Sequence, residues 1–176
     1  LPKSLAEAVI AKTDPKFWQH SGYSLADLTN PDSHVTLAQR LVFDLLLFNE
    51  EPSLQRALRE RILAAQITAH FGRTQILEWY LNSANFGRYA YGAETAAQLY
   101  FGKSATQLST AESAILAAVS DSPSLNPYDA PQTALERGTE TIRMMSTLGL
   151  LSDEATANAL GESPLFQTPP PSTPQF

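Results

Sequence analysis

The sequence contains no cysteine. That excludes a disulfide framework, thiolate metal sites and thiol catalysis, and it leaves the compartment open. Positive charge is also short: 12 Lys and Arg against 18 Asp and Glu give a net charge of −6. This balance offers no electrostatic footprint for non-specific nucleic-acid binding, so nucleic acid is not an expected partner. No apolar run approaches the roughly 20 residues that a membrane-crossing helix needs. No signal-peptide pattern is visible. His20, His34 and His70 lack the spacing of metal ligands. Phosphate-binding glycine loops, the His-Glu-x-x-His zinc motif and the nucleophile elbow are all missing.

What is present suffices for one domain. The 176 residues are 43% hydrophobic and can bury a sizeable core. The chain starts at Leu1 rather than Met and ends in Thr-Pro-Pro-Pro-Ser-Thr-Pro-Gln-Phe, which reads as a piece of a longer protein.

Nearly every segment reads as helix. Pro2 suits a first helical turn, and Leu5, Ala8 and Val9 give one apolar face up to about Ala11. Tyr23 to Ser33 is turn-rich, broken by Asn30-Pro31. Leu37, Leu41, Leu45 and Phe48 recur at helical spacing. Pro52 opens a longer helix that stops near Phe71-Gly72. Thr74 is positioned to cap the next one. A small-residue helix ends at Gly102, and Ser109-x-x-Glu112 is a capping-box pattern. Pro131 starts a helix ending at Gly149, and Ser152 caps a last one to Leu160. The expected architecture is all-α: a single domain of about eight helices over 1–161, then a Pro-rich tail or linker over 162–176.

Five ordered motifs stand out. They are Ile76 to Asn82 (ILEWYLN), Asn85 to Gly87 (NFG), Tyr91 to Lys103 (YGAETAAQLYFGK), Leu108 to Ala118 (LSTAESAILAA) and Pro123 to Pro127 (PSLNP). Taken singly, Tyr91, Gly92, Ala96, Ala97, Tyr100 and Phe101 are helix-packing residues, and Leu108, Ala111, Ile115 and Leu116 are core. Taken together, the motifs resemble the peptidoglycan glycosyltransferase domain. That is the family 51 glycosyltransferase module of bifunctional penicillin-binding proteins and monofunctional transglycosylases.

The resemblance implies a lysozyme-like helical fold and a place in the bacterial cell envelope, at the outer face of the cytoplasmic membrane. It implies lipid II or glycan strands as substrate and cell-wall synthesis proteins as partners. An anchor outside this piece would tether it to the membrane. In such a reaction the 4-hydroxyl of one sugar attacks the anomeric carbon of another, and a lipid diphosphate leaves. A carboxylate must take the hydroxyl proton, and cations or a divalent ion (Mg or Mn) must stabilise the diphosphate.

The family's base is the glutamate of Glu-Asp-x-x-Phe-x-x-His-x-Gly. Here Asp14, Phe17, His20 and Gly22 fit that motif, and Thr13 occupies the glutamate position. A hydroxyl does not replace a carboxylate as base at neutral pH, so the resemblance implies an impaired polymerase. Asp14 is the first substitute to consider, and His20 the second. The family's Arg-Lys-x-x-Glu aligns with Arg56 to Glu60: Arg56 and Glu60 are kept, the lysine is Ala57, and Arg59 lies beside the glutamate. Without the family, Arg56 and Glu60 at four-residue spacing read as a surface ion pair. Glu60 is the second catalytic candidate, and the candidate metal ligand.

The family's Gly-x-Ser-Thr-Ile-Thr-Gln-Gln-Leu-x-Lys-Asn is eroded to Ser33 to Asp44. Thr36, Gln39 and Leu41 survive, Phe43 replaces the lysine, Asp44 the asparagine, and Arg40 supplies a new cation. Thr36, Gln39, Arg40, Arg56 and Arg59 are the expected substrate-binding residues. The connection after Gly22 is shorter than the family norm, in the region of a membrane-dipping jaw. Two further readings stand beside the impaired one. The first is an active lipid II polymerase with a substitute base such as Asp14. The second is a glycan-cleaving lysozyme-like transglycosylase with Glu60 as its acid.

Overall fold

The computed structural model describes residues 2–169, which hold eight α-helices and no strand. A lone antiparallel bridge joins Asn85 to Tyr91. Helix α1 (Lys3–Thr13) buries Leu5, Ala8, Val9, Ile10 and Ala11, a wider face than its spacing alone suggests. It packs on α6 (Thr110–Asp121), which is the centre of the domain. Every α6 residue from Ala111 to Ser120 is buried, and four of the ten are alanine, so neighbours approach on all sides. The Ser109/Glu112 capping box forms as expected and closes its N-terminus.

Helix α7 (Pro131–Thr147) lies along α6, and Gly138 sets how close. A Cβ there would stand 2.5 Å from Ile115 Cγ1. Helix α8 (Asp153–Gly161), capped by Ser152, covers the α6–α7 pair. Helix α5 (Ala93–Phe101) buries Ala96, Ala97, Tyr100 and Phe101 and ends at Gly102. The Tyr100 hydroxyl donates to the Phe86 carbonyl at 2.7 Å inside the core. Beyond α8 the chain continues without regular secondary structure to residue 169: Phe166 packs on Phe101, and the Gln167 N–H donates to the Tyr100 carbonyl at 2.8 Å. The remainder of the expected tail, 170–176, lies outside the described residues.

The other half holds α2 (Leu37–Val42), α3 (Leu54–Phe71) and α4 (Arg73–Ser83). Three expectations are corrected here. Thr74 is not a cap: α4 begins at Arg73 after Gly72, with no side-chain cap. Leu45 and Phe48 do not continue the buried face of Leu37 and Leu41, because α2 passes into a π-helical turn at Phe43–Leu47. The wider turn rotates them into solvent, so both are exposed with Leu46. Tyr91 is exposed rather than packed, since it precedes α5 in the bridge.

Candidate functional site

The C-terminus of α1 delivers Thr13 and Asp14 to the junction of the two halves. His20 Nε2 lies 2.8 and 3.0 Å from the two Asp14 oxygens, and the first N–H of α2, from Leu37, donates to Asp14 Oδ2 at 3.1 Å. The Gly22 N–H donates to His20 Nδ1 at 3.0 Å. Because Nδ1 accepts, the ring proton sits on Nε2 and is given to Asp14. Both Asp14 oxygens are therefore engaged. The Thr13 hydroxyl beside it is buried and has no hydrogen-bond partner.

Gly22 holds this loop against α3. Its φ is +90°, and a Cβ would meet Thr68 Oγ1 at 2.0 Å and the Ala64 carbonyl at 2.7 Å. The Thr36 hydroxyl donates to the Gly22 carbonyl at 2.7 Å and caps α2 by accepting from the Gln39 N–H. Gln39 Oε1 accepts from the Ser24 N–H at 2.8 Å, and Gln39 Nε2 donates to Glu60 Oε1 at 2.8 Å. The other Glu60 oxygen meets His34 Nδ1 at 2.7 Å. One polar chain thus runs from α1 through α2 to α3, and its inner members, Thr36, Gln39 and Glu60, are fully buried.

The expected Arg56–Glu60 ion pair does not form. Arg56 is buried and turns instead to the Pro31 and Glu50 carbonyls and, at 2.5 Å, to Asp32. Spacing lets two helix residues meet, but here each finds a nearer partner from outside the helix. Arg61 approaches Glu60 at 3.9 Å and donates to the Ser24, Ala26 and Ala57 carbonyls, pinning the connection after Gly22. Arg59 points outward and pairs with Glu50. At the family's lysine position, Phe43 stacks on His34 with centroids 4.0 Å apart, and the Arg56 guanidinium sits 5.2 Å from the same ring.

A cleft of about 350 Å³ opens beside this network. Its walls include His34, Arg40, Asp44, Tyr80, Asn85 and Ser120. Of the expected substrate-binding residues, Arg40 alone lines it; it donates to the His34 carbonyl and pairs with Asp121 at 2.8 Å. Asp44 keeps solvent contact, yet desolvation in the cleft pushes the pKa of its carboxyl up from its ordinary value; His34 and then Arg40 oppose the rise, and Glu60 adds to it. Burial also raises the Tyr80 hydroxyl.

The residues around Glu60 do not fit a divalent ion. Both of its oxygens are engaged, and no group of three His, Asp or Glu among the described residues converges on one point. In the sequence alone His34 is one of three histidines without metal-ligand spacing. Its position two residues before Thr36, inside the eroded motif, is the sequence signal that ties it to the site.

Comparison with known proteins agrees with this architecture. Residues 1–146 match the family model described as Transglycosylase. The sequence is 37% identical over 180 residues to penicillin-binding protein 1A of Rickettsia bellii (strain RML369-C), an alignment covering 94% of this chain and 22% of that protein. It is 33% identical to penicillin-binding protein 1A of Aquifex aeolicus (strain VF5), covering 92% of this chain and 24% of the relative. It is 32% identical to penicillin-binding protein 2D of Bacillus subtilis (strain 168), covering 94% and 26%. The 2.6 Å crystal structure of penicillin-binding protein 1A from Haemophilus influenzae superposes with a TM-score of 0.51 at 26% identity, over 83% of this chain and 18% of that one. The chain spans between a fifth and about a quarter of the length of these curated relatives. The helical fold is accordingly the all-α, lysozyme-like one expected of a transglycosylase domain.

Proposed function

The chain belongs to the transglycosylase family, and from that premise we propose that it is a glycan-handling domain of bacterial cell-wall synthesis whose polymerase chemistry by the family's own route is impaired. Its substrate class is lipid II or the growing glycan strand, met at the outer face of the cytoplasmic membrane beside other cell-wall synthesis proteins. The observation that carries the impairment is Thr13. Its hydroxyl is buried and unpartnered where the family places its proton acceptor. Asp14 would have to give up both His20 and the α2 N-terminus to serve instead. Those bonds are what hold the loop, so its use as base works against the fold of the site.

The lipid side of the reading has its own support. Leu54, Leu58 and Ile62 recur every four residues along α3, all exposed. Tyr23 and Leu25 line a groove with Leu58 and Ile62, and Leu45 and Leu46 on the π-helical turn that contacts α3, with Phe48 just beyond it, expose further apolar surface. An exposed apolar face of this kind suits a lipid surface, although no described helix is long and apolar enough to cross a membrane.

The test is binding of the protein to lipid vesicles with and without lipid II, followed by strand formation in the same vesicles. Retained binding with turnover far below that of a family member carrying the glutamate is expected. Absence of lipid II and strand binding, or turnover equal to such a member, refutes the reading.

A further inference from the structure

We propose that His34, oriented by the buried Glu60 carboxylate, is this chain's own proton acceptor in the cleft, in place of the carboxylate missing at position 13. The proposal rests on the glycosyl-transfer reading of the cleft. His34 Nδ1 faces Glu60 Oε2 at 2.7 Å, and a carboxylate with no exposure accepts there. The Nδ1 proton is thus fixed toward Glu60, which leaves the Nε2 lone pair free. Among the described residues no protein group bonds Nε2, and His34 lines the cleft with its side chain partly exposed. Stacking on Phe43 fixes the ring plane. Phe43 stands where the family has its lysine, and His34 lies two residues before Thr36 in the same eroded motif.

A histidine with its far nitrogen held by a carboxylate is the arrangement a general base needs: fixed tautomer, fixed orientation and a counter-charge for the imidazolium. In the transfer, an acceptor sugar hydroxyl oxygen forms a bond to the donor's anomeric carbon. The bond from that carbon to the diphosphate oxygen breaks, and its electron pair leaves on the lipid diphosphate. The hydroxyl proton passes to His34 Nε2. Arg40, on the same wall, is the cation placed for the departing negative charge. Glu60 touches no substrate and is a positioning residue. Other charged or titratable groups surround His34: Arg61 behind Glu60, Arg40 on α2, Asp44 on the π-helical turn, Asp32 on the preceding loop and Tyr80 on α4. Asp121 reaches it through Arg40.

The test is strand formation from lipid II in vesicles by the full-length protein, comparing wild type, His34→Gln, Glu60→Gln, Thr13→Glu and the double variant Thr13→Glu/His34→Gln. Glutamine at 34 still offers Glu60 a donor, so the network keeps its partner, but its amide accepts no proton. His34→Gln is expected to lower the residual rate roughly tenfold or more and to abolish the acid limb of its pH profile. Glu60→Gln is expected to alter that limb and to add little on top of His34→Gln. In the Thr13→Glu background the loss from His34→Gln is expected to shrink at least fivefold, because a carboxylate at position 13 then takes the proton. Equal fractional losses in both backgrounds, or no loss in the wild type, overturn the proposal. A silent wild type beside an active Thr13→Glu overturns it alone and leaves the glycan reading standing. Silence in every variant, with no lipid II binding, removes both.

Discussion

Replacing Glu60 by alanine removes the group that joins α2, the His34 loop and α3. In the folded protein its two oxygens accept from Gln39 Nε2 and face His34 Nδ1, and the side chain has no exposure. Hydrogen bonds to a charged group contribute about 1.5–3 kcal/mol each. Against that loss stands the relief of no longer burying a carboxylate, which offsets part of it. The buried Arg61 guanidinium, 3.9 Å away, also loses its counter-charge, and removing one partner of a buried charged pair costs about 3–5 kcal/mol on balance. A domain of this kind has about 5–15 kcal/mol in total. With a urea slope of about 2 kcal/mol per molar, the midpoint falls by roughly 2 M. The measurement is urea unfolding followed by far-UV circular dichroism, beside Arg59→Ala as control. Arg59 is the preceding residue on α3, but its pair with Glu50 is exposed and contributes about 0–1 kcal/mol. A Glu60→Ala loss no greater than that of Arg59→Ala would refute the view of Glu60 as the tie of the site.

Other perturbations separate the parts of the site. Gly22→Ala forces a Cβ to 2.7 Å from the Ala64 backbone carbonyl at a φ of +90°; left-handed strain and overpacking together cost about 2–5 kcal/mol, and an unchanged melting temperature would contradict the close approach to α3. Thr13→Val replaces a buried, unpartnered hydroxyl by a methyl of similar shape. It is expected to stabilise by about 1 kcal/mol in the same unfolding assay, whereas a clear destabilisation would mean that the hydroxyl has a partner. Asp44→Asn removes a carboxyl whose pKa is raised in the fold by desolvation. A raised carboxyl weakens the fold as pH climbs through its folded pKa, and has no effect well below the ordinary value of 3.8. The variant is therefore expected to melt slightly higher than wild type near about pH 7 and equally in acid; the reverse order would show that His34 and Arg40 outweigh desolvation there.

The sequence made the helices legible because their ends carry local signals. The Ser109/Glu112 box and Ser152 each mark a helix start within one residue, and Gly102 marks the end of α5. The π-helical turn left no such mark: Leu37, Leu41, Leu45 and Phe48 keep an α-helical period, and only the extra residue in the turn exposes the last two. In the site, Thr13, Asp14 and Glu60 were legible through their motifs. The partners of Arg56 and Glu60 were not. Four-residue spacing on one helix is a local fact, whereas Asp32 and His34 reach them from 24 and 26 residues away. A lone histidine with no ligand spacing gives no signal until the fold brings a carboxylate to one nitrogen and a cleft to the other.

On the proposed reading the site is folded and lacks one carboxylate. This is tested most directly by the initial rate of strand formation from lipid II for the wild type and for Thr13→Glu, each shown to bind vesicles equally. A positioned general base contributes about 10²–10⁴-fold, and His34 supplies part of that in the wild type, so Thr13→Glu is expected to be faster by roughly tenfold to 10³-fold. Equal rates for the two proteins would contradict the account.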